Sequence, residues 1–243
     1  VYFPNNITEI KNFIKGKTIA RGLGKSYGDS SIQPNSTIIT TKLNKVLHLD
    51  LKKGILLAES GISVLEIIEK IIPHGWFLPI TPGSKFISLG GMIAADVHGK
   101  NHHKRGSFRN YIMELTIIDE NKKLIKCSKK KNSDLFNYTI GGMGLTGIIY
   151  SCKFKLIKIN SHLIEQKIIK SINLKKTIQN IKKNNNYEYN VAWIDTSANN
   201  KSIGRSILFS GNHLKKEKKE IKKIFFKKRS LRVFNIFPNW ILN

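Results

Sequence analysis

The sequence predicts an α+β fold, and three observations carry that expectation. Short β-prone segments separated by turn residues fill the first third of the chain. A well-capped amphipathic helix follows them. Strands and helices then fail to alternate as regular βαβ units. With 243 residues, 40% of them hydrophobic, the chain has material for one large domain or two modest ones around a real core.

Taken in order, Lys17 to Arg21 reads as a short strand entering a glycine loop, and Ser36 to Thr41, Val46 to Asp50 and Gly54 to Ser60 read as further strands. Ser63-Val-Leu-Glu66 is a capping box that opens a helix. Its apolar face comprises Val64, Ile67, Ile68, Ile71 and Ile72, Pro73 stops it, and it is expected to cover a sheet. Gly90 to Val97 reads as a helix of small residues, whose N-terminus would aim main-chain donors and a positive dipole at a ligand. Met113 to Asp119 and Leu124 to Ser128 suggest a hairpin across Glu120-Asn-Lys-Lys123. Ser133 to Tyr138 suggests one or two helical turns, and Ile148 to Ile159 a long β-run.

Around Asn160 and Ser161 the character changes, which divides the chain into residues 1–160 and 161–243. The second part reads as the opening of a βαββα unit. Its elements are a strand (Leu163 to Lys170), a helix (Leu174 to Lys183), two strands (Tyr187 to Asp195, Ser202 to Ser210) and a lysine-loaded helix from Leu214. That helix carries Leu214, Ile221, Ile224 and Phe225 on one face, so it packs on its own domain or lies on an anionic membrane surface. The sequence closes on an apolar stretch, Phe237-Pro-Asn-Trp-Ile-Leu-Asn243, and begins with Val1 rather than Met, as a processed product or, more simply, a piece of a longer chain would.

Three glycine loops point to one large, extended ligand. The most informative stretch runs from Gly83 to His103 and packs glycines, small residues and a polar cluster together. Arg21-Gly-Leu-Gly-Lys-Ser-Tyr-Gly-Asp29 lies upstream, and Gly141-Gly-Met-Gly-Leu-Thr-Gly-Ile-Ile149 downstream. Glycine lets backbone approach a ligand closely, and successive main-chain N–H groups form a concave anion site without charged side chains. The first loop has glycines at 22, 24 and 28, one residue too long for Gly-x-Gly-x-x-Gly, which argues against a Rossmann site. It reads as an ordinary turn or, with Arg21, Ser26 and Tyr27, as a diphosphate nest. His98, His102 and His103 raise the question of metal, but Lys100, Lys104 and Arg105 would oppose a cation, and no metal is expected. These residues read either as a polar surface loop or as binders of an anionic substrate or electron-rich cofactor ring, through His98 and Lys100. Met92, Ile93 and the Ile148-Ile149 pair read as packing residues, with Ile149 able also to lie against a flat ring.

The formal charge of +26 invites a nucleic-acid partner. The excess is mostly lysine spread along the chain, without the placed Arg, Asn, Gln or strand-borne aromatics of base readout and stacking, so nucleic acid is disfavoured as the primary partner. Cys127 and Cys152 form no disulfide framework and read as buried, idle thiols in a reducing compartment. No apolar run approaches a membrane span, and the N-terminal stretch reads as having neither a charged n-region nor a cleavage site. The expectation is a cytoplasmic protein, with peripheral membrane contact open to the basic helix.

Five motifs in order carry a family resemblance: Arg21 to Asp29, the Pro82-Gly83 turn, Ser88-Leu-Gly-Gly91, His98-Gly-Lys-Asn-His-His103 and Gly144-Leu-Thr-Gly-Ile-Ile149. Together they resemble the FAD-dependent decaprenylphosphoryl-β-D-ribose 2′-oxidases, within the vanillyl-alcohol-oxidase or p-cresol-methylhydroxylase (PCMH) type flavoproteins. The likeness runs to Ile159 and more weakly through Val191-Ala-Trp-Ile-Asp195 and Phe237-Pro-Asn239. It implies a PCMH-type FAD-binding domain over residues 1–160, followed by the beginning of an α+β substrate domain.

The resemblance also implies a cofactor path. Arg21, Gly22, Leu23, Gly24, Lys25, Ser26, Tyr27, Gly28 and Asp29 would wrap the FAD diphosphate, and Gly83, Ser84, Ser88, Leu89, Gly90 and Gly91 would add contacts. Ala95, Asp96, Val97 and His98 would run beside the flavin. Gly144 and Gly147 would contribute from the third loop, and Ile149 would meet the adenosine end. The first loop has no histidine to tether the flavin, so FAD is expected to be non-covalent. The implied reaction oxidises a secondary sugar alcohol to a ketone, with Tyr27, His98 and Lys100 as substrate-side candidates and a keto-sugar reductase as a downstream partner. A small-molecule or lipid-linked sugar is the implied substrate. Alternatives are an aldonolactone or alditol oxidase of the same superfamily and a non-catalytic, basic nucleic-acid-binding module whose glycine loops are only turns. The family's chain returns from its substrate domain to the flavin domain. Nothing here matches that return, so the sequence is expected to be an N-terminal part.

Overall fold

Residues 1–215 are described by the computed structural model. They run α1 (Ile7–Phe13), β1 (Ile19–Arg21), β2 (Thr37–Ile39), β3 (Val46–Asp50), β4 (Ile55–Glu59), α2 (Val64–Ile71), β5 (Trp76–Phe77), α3 (Leu89–Ala94) and α4 (His102–Arg105). There follow β6 (Ile112–Ile118), β7 (Leu124–Cys127), α5 (Ser133–Thr139), β8 (Ile148–Lys155), β9 (Ile157–Lys158), β10 (Ile164–Ser171), α6 (Leu174–Lys183), β11 (Tyr189–Ile194) and β12 (Ser206–His213). The lysine-loaded helix expected from Leu214 and the apolar stretch from Phe237 lie, beyond Lys215, outside the described residues.

An antiparallel sheet in the order β3-β4-β8-β6-β7 forms the central layer. One face packs Leu56, Ala58, Leu115, Cys152 and Phe154 against Ile67 and Ile71 of α2, Met92 and Ile93 of α3, and Phe108 and Phe136. The other face carries Ile118 and Ile148, which pack on Ile10 and Ile14 from α1 and on Ile38 from β2. A register shift between Thr116 and Ile117 explains how Ile149 and Cys152, three apart, both face the larger core. The extra residue of such a bulge breaks the two-residue alternation. Both cysteines are free and buried, as expected. Burial pushes the Cys127 thiol up to about 11 and Cys152 well above its ordinary value.

Local signals placed these elements well. Ser63 accepts from Glu66 N–H while the Glu66 carboxylate returns to Ser63 N–H at 2.8 Å, completing the expected capping box. The hairpin across 119–123 forms β6 and β7. Three expectations are corrected. Thr40–Lys42 winds into a 3-10 turn, which shortens the second strand. The helix expected over Gly90 to Val97 covers only Leu89–Ala94, because Asp96 turns to a left-handed φ of 40°. The long run from Ile148 divides at Leu156, whose N–H bonds Gly54 O, and β9 leaves the sheet to pair with β5.

A second sheet, β10-β12-β11, is covered on one face by α6, where Thr177 Oγ1 meets Ser206 Oγ at 2.8 Å. The other face leaves Ile168, Trp193 and Ile207 exposed. The two sheets are joined along a polar seam. Asn190 N–H donates to Lys100 O, Lys104 Nζ donates to Asn186 O, and His103 Nε2 lies 2.8 Å from Tyr187 O. Arg105 pairs with Glu188 at 2.7 Å. His213 packs edge-on against Phe77, with Nδ1 at 2.8 Å from Ser161 O and Nε2 at 3.0 Å from the Tyr189 hydroxyl.

Two groups in this seam titrate against acid. Burial lowers the pKa of His213; the bond to the Ser161 carbonyl and Glu188 oppose that, and His162 adds to it. The folded value therefore lies below the unfolded one of about 6.5, and the stability of the neutral ring is complete above that pH and lost as pH falls below it. Burial raises the Glu188 pKa, but the hydrogen bond and charge of Arg105, with Asn101 and Lys104, prevail and hold it low. Its contribution is present above the unfolded value of about 4.3 and is lost on further acidification. Unfolding midpoints measured at stepped pH should therefore decline below about pH 6.5. His213→Gln should flatten the upper part of that decline and spare the lower part; an unchanged profile in the variant would contradict the assignment.

Candidate functional site

The three glycine loops converge on α3. Ala20, Gly22, Ser26, Ser30 and Ser31 form one wall of a cleft of about 600 Å³ that opens to solvent, and Ser88, Gly90, Gly91, Ala94 and Ala95 form the second. Met143, Gly144, Gly147 and Ile149 form the third, with Thr40 and Ser60 at the base. Among the described residues no charged side chain lines it. A further opening, lined by Ile14, by residues 16–19 and by residues 118–121, shares Gly144 and Gly147 with the cleft.

The walls approach too closely for larger residues. A Cβ on Gly22 would lie 1.9 Å from Ser88 Oγ, so only glycine lets the first loop cross the start of α3. Gly147 takes φ of 132° and a Cβ there would meet Ile118 O at 2.7 Å, which fixes where the third loop enters β8. Main-chain bonds hold the arrangement: Gly90 N–H to Ser60 O, Gly141 N–H to Ile93 O, and Met143 N–H to Ala94 O, at 2.7, 3.0 and 2.8 Å.

Comparison of the sequence with known proteins places the chain in a family. Residues 3–128 match the family model described as FAD binding domain. The chain belongs to this FAD-binding family. It is 30% identical over 235 residues to the decaprenylphosphoryl-β-D-ribose oxidase of Mycolicibacterium smegmatis, covering 93% of this chain and 51% of that protein. It is 26% identical over 160 residues to a putative D-arabinono-1,4-lactone oxidase of Neurospora crassa, covering 63% of the chain and 29% of that protein. It is 24% identical over 170 residues to the L-gulonolactone oxidase of Mus musculus, covering 68% of the chain and 38% of that protein. The chain thus spans about half, or less, of the length of these relatives. With the family established, the α+β architecture is that of a PCMH-type FAD-binding fold.

Of the residues singled out in the sequence, Gly22, Ser26, Ser88, Gly90, Gly91, Ala95, Gly144, Gly147 and Ile149 line the cleft together. Arg21 does not: its guanidinium reaches across the loop to donate to Ser31 Oγ at 2.8 Å, which clamps the loop's two ends. Leu23, Lys25, Tyr27, Gly28 and Asp29 ride on the exposed outside of that loop, Tyr27 at 99% exposure. Gly83 and Ser84 sit in the turn before α3, where Ser84 Oγ accepts from Phe86 N–H, and they do not reach the cleft. His98 and Lys100 are exposed on one segment beside the seam, with His98 edge-on to His102 at 5.1 Å.

Two expectations about α3 change. Its first N–H groups are already engaged, Leu89 by Ile62 O, Gly90 by Ser60 O and Gly91 by Ser88 Oγ, so the helix offers a small-residue wall rather than free donors. Asp96 is turned away from the cleft. Its carboxylate accepts from Arg109 N–H at 2.9 Å and pairs with Arg109 Nε at 3.3 Å, and Arg109 in turn donates to Asn137 O and Ile140 O. This tie binds the end of α3 to the end of α5, from which the third loop departs. The sequence reading did not single out Ser31, Thr40, Ser60 or Met143 as lining. Only Ser60, at a strand end facing the glycine stretch, had a local signal.

Arg109→Met removes that tie while keeping the length of the side chain. Amide hydrogen exchange at Gly141 and Met143 is expected to quicken while exchange in β4 and β6 stays slow. Unchanged protection at both positions would show that the loop is held without Arg109.

Proposed function

We propose that this chain forms the FAD-binding part of an oxidoreductase, and that the whole protein oxidises a secondary alcohol of a sugar to a ketone, with a polyprenyl-phosphate-linked pentose as the leading substrate. The observation that carries the cofactor half of this reading is the cleft itself: small residues, hydroxyls and main chain around a buried, unpartnered Ser60 Oγ, with walls that a Cβ at Gly22 would close. Those are the features of a close cradle for a dinucleotide diphosphate. Ser26, Ser30, Ser60 and Ser88, with the main chain of Gly22 and Gly144, would hold it, and Ile149 offers an apolar surface at the far end. When bound, the flavin would accept the hydride that leaves the carbinol carbon, while the hydroxyl proton would pass to solvent, so that the ketone forms.

The chain's own contribution is to position the reactants and exclude water. The Lys100 main chain is fixed on both sides, its N–H on Thr81 O and its carbonyl under Asn190 N–H, so only the ammonium is free to meet an anionic substrate. That charge suits a sugar carried on a phosphate. His98, on the same segment, is exposed as well, and Tyr27 is exposed on the first loop, so both remain open to the substrate side. The exposed apolar face around Trp193, Ile168 and Ile207, beside Lys170, is chemically suited to a lipid phosphate.

The relative matched over most of the chain, named for a lipid-linked ribose, supports this substrate class, and the lactone oxidases among the relatives support an aldonolactone as the second reading. The nucleic-acid module loses its premise, because the glycine loops enclose a common cleft instead of forming separate turns. Anaerobic mixing of the whole FAD-loaded protein with each candidate separates the readings. A polyprenyl-phosphate pentose is expected to bleach the flavin absorbance. Bleaching by an aldonolactone but not by the lipid-linked pentose would replace the leading substrate with the second.

A further inference from the structure

Ser60 sits where β4 ends, and its main chain is fully committed. Its N–H donates to Tyr150 O at 2.8 Å and its carbonyl accepts from Gly90 N–H at 2.7 Å, so the residue is pinned between β8 and α3. The side chain is 1% exposed, and Oγ has no hydrogen-bond partner. The other buried unpartnered atoms among the described residues, on Thr81, Asn101, Asn190 and Ser210, do not line the cleft; Ser60 does. A buried hydroxyl without a partner costs free energy that an alanine would not, so its native partner is to be sought in what fills the cleft.

We propose that the Ser60 hydroxyl is a direct cofactor-binding group that donates a hydrogen bond to an anionic diphosphate oxygen. This rests on the FAD-binding reading above. A diphosphate oxygen only accepts, Ser60 Oγ–H can only donate to it, and no charged side chain among the described residues lines the cleft to compete for it. The bond forms in a site shielded from water, where a charge-assisted hydrogen bond outweighs one on the surface. The neighbouring Thr40 hydroxyl is already spent on Arg21 O at 3.3 Å, which leaves Ser60 as the ready donor at the base of the cleft.

The test is Ser60→Ala in the chain with and without ligand. Fluorescence titration is expected to show FAD binding weakened about tenfold or more, the loss typical of a hydrogen bond to a charged group. ADP, which keeps the diphosphate, should weaken in parallel, and riboflavin, which lacks it, should not. The ligand-free thermal midpoint should hold or rise, since the variant removes an orphaned polar atom, while the FAD-induced rise in midpoint shrinks. FAD affinity equal to that of the wild type would overturn the proposal and leave the FAD-binding reading standing. A loss confined to riboflavin would overturn the diphosphate contact, and a fall in the ligand-free midpoint alongside the affinity loss would make Ser60 a packing residue. Failure of the wild type to bind FAD would overturn this inference together with the reading beneath it.

Discussion

Everything around the cleft is referred to one short helix. Leu89–Ala94 takes the end of β4 through Gly90, the third glycine loop through Ile93 and Ala94, and the first loop through the contact of Gly22 with Ser88. Its apolar side, Leu89, Met92 and Ile93, is fully buried against the central sheet. A six-residue helix has little stability of its own, so its position is set by packing and by these main-chain bonds. The consequence is rigidity at the cleft: three segments distant in sequence meet on a single buried platform.

The electrostatics of this arrangement run against the composition. A chain of formal charge +26 surrounds a cleft that, among the described residues, no charged side chain lines. Arg21, the nearest cation in the sequence motif, is turned to clamp its own loop onto Ser31. Recognition of an anionic cofactor in such a place falls to hydroxyls and oriented amides, which cost no desolvation of a full charge. The basic surface then acts at longer range, by drawing anions toward the molecule.

Much of this was legible in the sequence where the signal is local. The Ser63–Glu66 box, the β6–β7 hairpin and α6 were each read from a short continuous stretch of sequence. The pairing of β5 with β9 and the parallel pairing of β1 with β2 were not, because two- and three-residue strands carry no periodicity and take their partners from distant segments. The same division holds in the site. Glycines at 22, 90, 91, 144 and 147 were read as points of close approach and line the cleft, whereas Gly28 and Gly83 do not. Side-chain destinations did not announce themselves. Asp96 was read as a cofactor neighbour, yet it engages Arg109, thirteen residues on, and Ser60 gained its interest only from a partner it lacks.

The central claim is that these three loops and α3 make a cradle that holds FAD. The most direct measurement is the visible absorption spectrum of the purified chain after addition of FAD and removal of the excess. The account predicts a retained flavin with shifted, structured bands, in an amount close to one per chain. A folded protein that keeps no flavin would contradict it.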